Sequence, residues 1–292
     1  MRAAMGLTRR TVILGGLAGL AMACAPGRMP AASDPELAGA AGKVVLMPLP
    51  AEGFDPTESA IPWRELSRRG VRVVFASPDG RIPTADPRML SGEGLGTYAE
   101  RLRADANARD AHAAMRKADD FRSPLAYEAL RADEFAALVL PGGHAPGMKV
   151  YLESAVLQKF VGEFFARGRP VGAICHGVLL AARSKLPGTD RSVLHGRRTT
   201  ALPRHMERIA WALTRKRLGD YYRTYPVYVQ DEVTAVLADR RDFVVGPRGF
   251  KRDAPGDLGP GFTVVDGRYV SARWPGDAHR FSLELLRQLA SG

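Results

Sequence analysis

Between Pro170 and Ser184 the chain reads PVGAICHGVLLAARS, and this stretch limits the fold more than any other. Residues 171–174 are an apolar run too brief for a helix, whereas residues 178–182 continue in a helical pattern without a polar break. The spacing predicts strand, sharp turn and helix, with Cys175, His176 and Gly177 at the turn. A thiol there stands at the C-terminal edge of a buried strand and faces a helix N-terminus. The unpaired N–H groups and partial positive charge of that terminus favour a thiolate. This is the arrangement of a nucleophile elbow with Cys in place of Ser, in which Gly177 permits the bend and His176 sets a base beside the thiol. A Cys following an apolar strand is otherwise an inert core residue, so the inference rests on the Cys-His-Gly triplet.

The pattern around the elbow alternates strand and helix. Strands are predicted at 43–49, 71–76 and 135–140, and helices at 56–69 and 152–167, the latter with Val156, Phe160, Phe164 and Phe165 as its core stripe. Such alternation argues an α/β fold with a mainly parallel sheet and helices on both faces. Beyond the elbow the spacing predicts a helix over 203–218 and short strands at 227–229, 234–237 and 243–245. A hairpin over 262–265 and 269–272 turns at Asp266-Gly267, and a closing helix spans 278–289. Residues 92–127, polar and rich in Ala and Arg, break the alternation as a helical insertion that serves as a lid or as a solvated surface pair.

Four further residues belong to the same sheet edge as Cys175, where open α/β sheets place their sites. Glu58 lies in the loop after the first strand. Gly142 and Gly143 follow the strand at 135–140 in the run PGGHAPG; without Gly-x-Gly-x-x-Gly or Lys-Ser/Thr they suit an oxyanion better than a nucleotide. His144, next in the run, lines the pocket or bonds locally.

The 292 residues are 46% hydrophobic and 25% charged, enough for one substantial core, and carry a net charge of +11. The arginines are scattered, with no aromatic-interleaved basic patch, which argues against nucleic acid as a partner. Cys24 and Cys175 are the only cysteines and make no disulfide framework. Residues 1–24 combine a basic start with an apolar stretch at 12–23 too short to span a membrane stably, as in a signal sequence. Arg9-Arg10 resembles the twin-arginine export signal, which implies a periplasmic or cell-envelope location. Ala21-Met22-Ala23-Cys24 resembles a lipoprotein box, in which Cys24 would carry a lipid tether to the membrane, but Ala-Met-Ala equally suits an ordinary signal peptidase. Residues 25–42, rich in Ala, Pro and Gly, are expected as a flexible linker to a domain over 43–292.

AICHG after a strand, PGGH in the preceding strand's loop and GFDPTE after the first strand occur here in one order. With them the domain resembles the ThiJ/PfpI superfamily, of class I glutamine amidotransferase-like fold, and is most similar to the branch of heat-shock chaperone and glyoxalase III proteins. The resemblance implies a flavodoxin-like three-layer sandwich, commonly a homodimer, working without a cofactor. It implies Cys175 as nucleophile, His176 as its base, Glu58 as the carboxylic acid against the sulfur, and the N–H groups of Gly143 and His176 as the oxyanion hole. Glu207, four residues after Pro203, is implied as the acid that orients His176, with Glu in place of the more usual Asp. The branch's metal-binding histidines are not matched, since Trp63, Arg64 and Glu65 occupy that region, so no metal is implied.

The function expected from this set is glyoxalase III-like conversion of small reactive aldehydes of the methylglyoxal type to hydroxy acids. An envelope holdase chaperone and a thiol redox sensor, in which Cys175 oxidises to a sulfinate held by Glu58, are the alternatives. A cysteine peptidase or amidase uses the same groups. A glutaminase ranks last: His205-Met206-Glu207 has its His-x-Glu pattern, but too soon after Cys175 in the chain.

Overall fold

In the computed structural model residues 27–31 and 34–292 are described; the leader and Cys24 lie outside the described residues. The first half of the domain contains β1 (Val44–Pro48), β2 (Glu52–Phe54), α1 (Pro56–Ser67), β3 (Arg72–Ser77) and β4 (Thr84–Ala85). Short pieces follow: α2 (Pro87–Ser91), α3 (Ala99–Leu102), α4 (Ala106–Met115), α5 (Asp119–Arg122) and β5 (Leu125–Ala126). Next come β6 (Ala137–Leu140), α6 (Met148–Leu152), α7 (Ala155–Ala166), β7 (Val171–Ile174), α8 (His176–Arg183), α9 (Arg204–Leu218) and α10 (Val229–Val236). The chain closes with β8 (Thr263–Asp266), β9 (Tyr269–Ala272) and α11 (Ala278–Ala290).

Seven strands form one sheet in the order β5-β3-β1-β6-β7-β9-β8, parallel except for the β8–β9 hairpin. β1, β6 and β7 are its three central strands, buried along nearly their whole length. A strand covered on both faces must be apolar at successive positions, which is why these three segments show no alternation in the sequence. α1 packs on α4 and α11, and α8 packs on α6 and α7, completing a flavodoxin-like α/β sandwich. Because β1, β6 and β7 run the same way, the segments that follow them gather on one edge. That edge receives Asp55 and Glu58, the Gly142-Gly143 turn, and Cys175.

Several sequence expectations change. The strand expected at 243–245 is only an isolated parallel bridge of Phe243 to Thr199. The strands expected at 227–229 and 234–237 are one helix, α10, because Val229, Val233 and Val236 recur at helical spacing and turn inward together. The helix expected over 152–167 is α7, which starts at Ala155 because the Ser154 hydroxyl caps it by accepting from the Leu157 N–H, and the separate α6 precedes it. The insertion expected over 92–127 starts earlier, at α2, and ends in β5, which pairs with β3 as the sheet's edge strand. Only its first part covers the site, while α4 buries Ala108, Ala111, His112 and Met115 against the body of the domain.

The linker expected over 25–42 is docked where it is described. Pro35–Ala40 forms a 3-10 helix that buries Leu37 and Ala40 and packs on α11. Met29 N–H donates to Pro255 O at 2.8 Å, and Arg69 Nη2 donates to Pro30 O at 2.6 Å. Two apolar side chains in an Ala-rich run were enough to attach it. Among the described residues no helix is long and apolar enough to cross a membrane.

Candidate active site

The turn between β7 and α8 is a strained bend. Cys175 has φ 57° and ψ −122°, the only positive φ outside glycine among the described residues. Such a conformation costs on the order of 1–3 kcal/mol and persists where the surroundings over-determine it. Here the Cys175 N–H donates to Ala272 O at 3.1 Å, holding the bend to β9. On the other side α8 presses on β6 so closely that a Cβ at Gly177 would lie 1.9 Å from Leu140 O. Only glycine fits there.

The sulfur is fully buried, 3.5 Å from His176 Nδ1 and 3.9 Å from His144 Nε2. The two imidazoles meet edge to face with centroids 4.8 Å apart, and Tyr222 packs on the far side of His144 at 5.7 Å. Thr224 Oγ1 donates to His144 O at 2.8 Å and fixes the loop.

Glu58 reaches the sulfur because Asp55 starts its helix. The Asp55 carboxylate caps α1, accepting from the N–H groups of Thr57 (2.7 Å) and Glu58 (3.0 Å), with Pro56 at the first helical position. Asp55 N–H donates to Gly142 O at 2.9 Å while Gly142 N–H donates to Glu58 Oε2 at 2.8 Å. This reciprocal pair clamps the turn after β6 onto α1, and a Cβ on Gly142 would lie 2.6 Å from His176 N and 2.7 Å from Glu58 Oε2. Glu58 Oε1 is buried without a hydrogen-bond partner among the described residues, and the carboxyl group interacts with the Cys175 side chain. The N–H groups of Gly143 and His176 are taken by no backbone carbonyl among the described residues; for His176 this follows from its place at the start of α8.

The electrostatics overturn the expected resting thiolate. Burial, followed by the Glu58 and Asp55 carboxylates, holds the Cys175 thiol well above the ordinary thiol range, and the nearby His176 N–H only partly offsets this. Burial pushes His176 well down, helped by His144 and Arg183, and takes His144 to about 4. Burial and the neighbouring Asp55 raise Glu58 well above the carboxylate range, which agrees with the protonated acid implied by the resemblance. A helix N-terminus offers the sulfur partial charge, but full desolvation is the larger effect. The resting site is therefore a thiol between two neutral imidazoles. Iodoacetamide should modify Cys175 in the folded chain at least tenfold more slowly at neutral pH than in urea, with the rate still rising at about pH 9. A plateau below pH 8, read by peptide mapping to separate Cys24, would contradict the neutral thiol.

Glu207 is not joined to His176 by a hydrogen bond among the described residues. It is buried on the first turn of α9, and its Oε2 accepts from the Val229 N–H at 3.0 Å, capping the start of α10. Burial raises it to about 7. The longer Glu side chain, in place of the usual Asp, serves a helix terminus; the expected orienting acid is thus corrected. His205 makes no hydrogen bond to Cys175 and lies near Arg248 and Arg273, so the His-x-Glu pair does not assemble on the sulfur. Glu65, in the region where metal ligands were sought, bonds Arg69 at 3.0 Å and lies 3.4 Å from His279. The soft ligand atoms that do converge are Cys175 Sγ and ring nitrogens of His144 and His176, within 4.8 Å of one another, able in kind to hold a borderline-soft cation.

His144 is also the boundary of a cavity of about 720 Å³ enclosed by α2, α3, α9 and the segment 250–275. Asp55, His144 and Tyr222 line its inner end. The sequence reading passed over Asp55 and Tyr222. Asp-Pro before Thr-Glu is a helix-start signature that marks Asp55, whereas Tyr222 sits in the α9–α10 connection and carries no local signal.

Comparison with known proteins gives the family and the fold. A family model described as ThiJ/PfpI family-like matches residues 49–247, which include the Asp55–Glu58 start of α1, the Gly142-Gly143 turn and the elbow. A deglycase of Thermococcus kodakarensis is 30% identical over 243 residues, covering 82% of this chain and 96% of the relative. Deglycase PfpI of Pyrococcus furiosus is 28% identical over the same shares of each chain. Among solved structures, glyoxalase III from Candida albicans superposes with a TM-score of 0.56 at 17% identity, over 83% of this chain and 95% of that one, a likeness of fold. On the family match, the near full-length relative and the seven-stranded sheet that carries the elbow cysteine, this chain belongs to the ThiJ/PfpI family.

Proposed function

We propose that the protein is a cysteine-dependent enzyme that rearranges small 2-oxoaldehydes to 2-hydroxy acids, in the manner of a glyoxalase III. The observation that carries this reading is the Cys175 sulfur on a strained elbow, 3.5 Å from His176 Nδ1, with the Gly143 and His176 N–H groups taken by no backbone carbonyl among the described residues. The names of the relatives, deglycases and a glyoxalase III, support reactive-carbonyl chemistry at the level of the family.

The steps follow from the resting protonation state. Since thiol and imidazole are both neutral, sulfur adds to the aldehyde carbon as its proton passes to His176, so that no free thiolate accumulates in the buried site. The alkoxide that forms accepts hydrogen bonds from Gly143 and His176 N–H, and the protonated Glu58 steadies the sulfur. A proton then moves from C1 of the hemithioacetal to a base, and one returns to C2. This converts the ketone to an alcohol and C1 to a thioester, an internal redox exchange that needs no outside oxidant. Water hydrolyses the thioester, releasing the 2-hydroxy acid and the thiol. His144, at 3.9 Å from the sulfur on its other side, is the second imidazole placed to carry these protons.

The test is lactate formation from methylglyoxal by the purified chain without added thiol or metal. Lactate at the background rate would overturn the reading. Burial of the sulfur disfavours the redox-sensor alternative, since oxidation follows thiolate character and access. Exposed large apolar side chains such as Ile82, Val150 and Val265 are dispersed along the chain, which does not favour a holdase. We further read the Arg9-Arg10 leader as directing export to the cell envelope, to be checked by fractionation of cells carrying Arg9→Lys/Arg10→Lys.

A further inference from the structure

The cavity beside His144 is much larger than methylglyoxal requires. At the roughly 30 Å³ that a water-sized heavy atom occupies in a liquid, a five-atom oxoaldehyde fills about 150 Å³, whereas the cavity measures about 720 Å³. Its wall is graded. The inner end carries Asp55, His144 and Tyr222 next to the sulfur, and the body is apolar, with Met89, Leu102, Met206, Leu213 and Trp274. Glu100 and Arg101 stand on the exposed turn of α3, and Arg252 lines the wall beside Trp274, its Nη2 donating to Leu102 O and Arg103 O. A cationic or strongly polar substituent lying in the body would lose its hydration against Met, Leu and Trp with little to replace it. An alkyl chain would cover wall that is otherwise wetted.

We infer that the preferred substrates are 2-oxoaldehydes bearing an extended apolar chain, with the dicarbonyl head at Cys175 and the tail between α9, α3 and Trp274. This rests on the carbonyl reading above and adds the substrate class. The geometry also assigns the tail a task. The sulfur is not part of the cavity wall, where the His144 ring stands instead, 3.9 Å from Sγ and packed edge to face against Tyr222. The head must displace that ring to reach the thiol, and contacts made by a remote tail can drive this displacement, for which a three-carbon substrate has only its dicarbonyl head and so reacts more slowly.

The experiment is a chain-length series on the purified protein: methylglyoxal, 2-oxohexanal and 2-oxooctanal, with 2-hydroxy acid as the readout. kcat/KM for 2-oxooctanal is expected to exceed that for methylglyoxal at least about tenfold, since each buried methylene adds discrimination. Leu213→Arg, on a half-buried position of α9, is expected to bring that ratio close to one. Equal or better turnover of methylglyoxal by the wild type overturns the proposal while leaving the carbonyl reading intact. If no oxoaldehyde is converted, the carbonyl reading falls instead, and the tail site is judged by titration with unreactive ketones. 2-Octanone should then bind at least about tenfold more tightly than 2-butanone, and equal affinity rejects the site.

Discussion

Cys175→Ala is expected to reduce lactate formation from methylglyoxal by about 10³-fold or more, a loss of about 4 kcal/mol in transition-state stabilisation. The covalent step has no substitute in this site: among the described residues the other groups within reach of the sulfur are two imidazoles with lowered pKa and a protonated carboxyl. Folding should change little. Alanine removes one buried sulfur, costing about 1 kcal/mol, and it keeps the unfavourable φ of 57° because that strain depends on the Cβ it retains. The melting temperature should therefore fall by only about 2–4 °C. Wild-type turnover in the variant would mean that the buried thiol is a core residue and that the chemistry lies elsewhere.

Gly177→Ala is expected to cost about 3 kcal/mol or more in stability, read as a lower denaturation midpoint, and to deplete soluble protein. Its new Cβ would stand 1.9 Å from Leu140 O, 2.6 Å from Leu140 C and 2.8 Å from Pro141 O. These are backbone atoms of β6 and of the turn that carries Gly143, so relief requires the helix and the strand end to part. Any folded fraction should also be less active, since that parting moves the Gly143 N–H relative to the sulfur. Gly168→Ala provides the contrast. Its φ is +66° with nothing within 4 Å of the added carbon, so it pays only left-handed strain, about 1–2 kcal/mol. Equal losses in the two variants would show that the α8–β6 approach is looser than described.

Much of this molecule can be read along the chain. The elbow, the strands β1, β3, β6 and β7, and the closing hairpin and helix follow from apolar runs, turn residues and periodicity within a dozen neighbours. The reading failed where two periods fit a short apolar segment, as at Val229–Val236, which is helical. It also failed where a low-complexity run carried just enough apolar surface to dock, as with Leu37 and Ala40. Glu207 illustrates a different failure. Its position after Pro203 is what the resemblance requires, but which donor a carboxylate meets depends on where α10 begins, and α10 starts 22 residues further along the chain at Val229.

The order of residues by itself determined that a cysteine would stand at a strained strand-to-helix bend with an imidazole beside it, since that outcome needs only local steric rules and one glycine. Whether the sulfur rests as thiol or thiolate was decided by the tertiary structure. Desolvation and the nearby carboxyl groups of Asp55 and Glu58 act on it across the sheet edge, and no local pattern reports how much water and which distant acids a folded chain leaves around one atom.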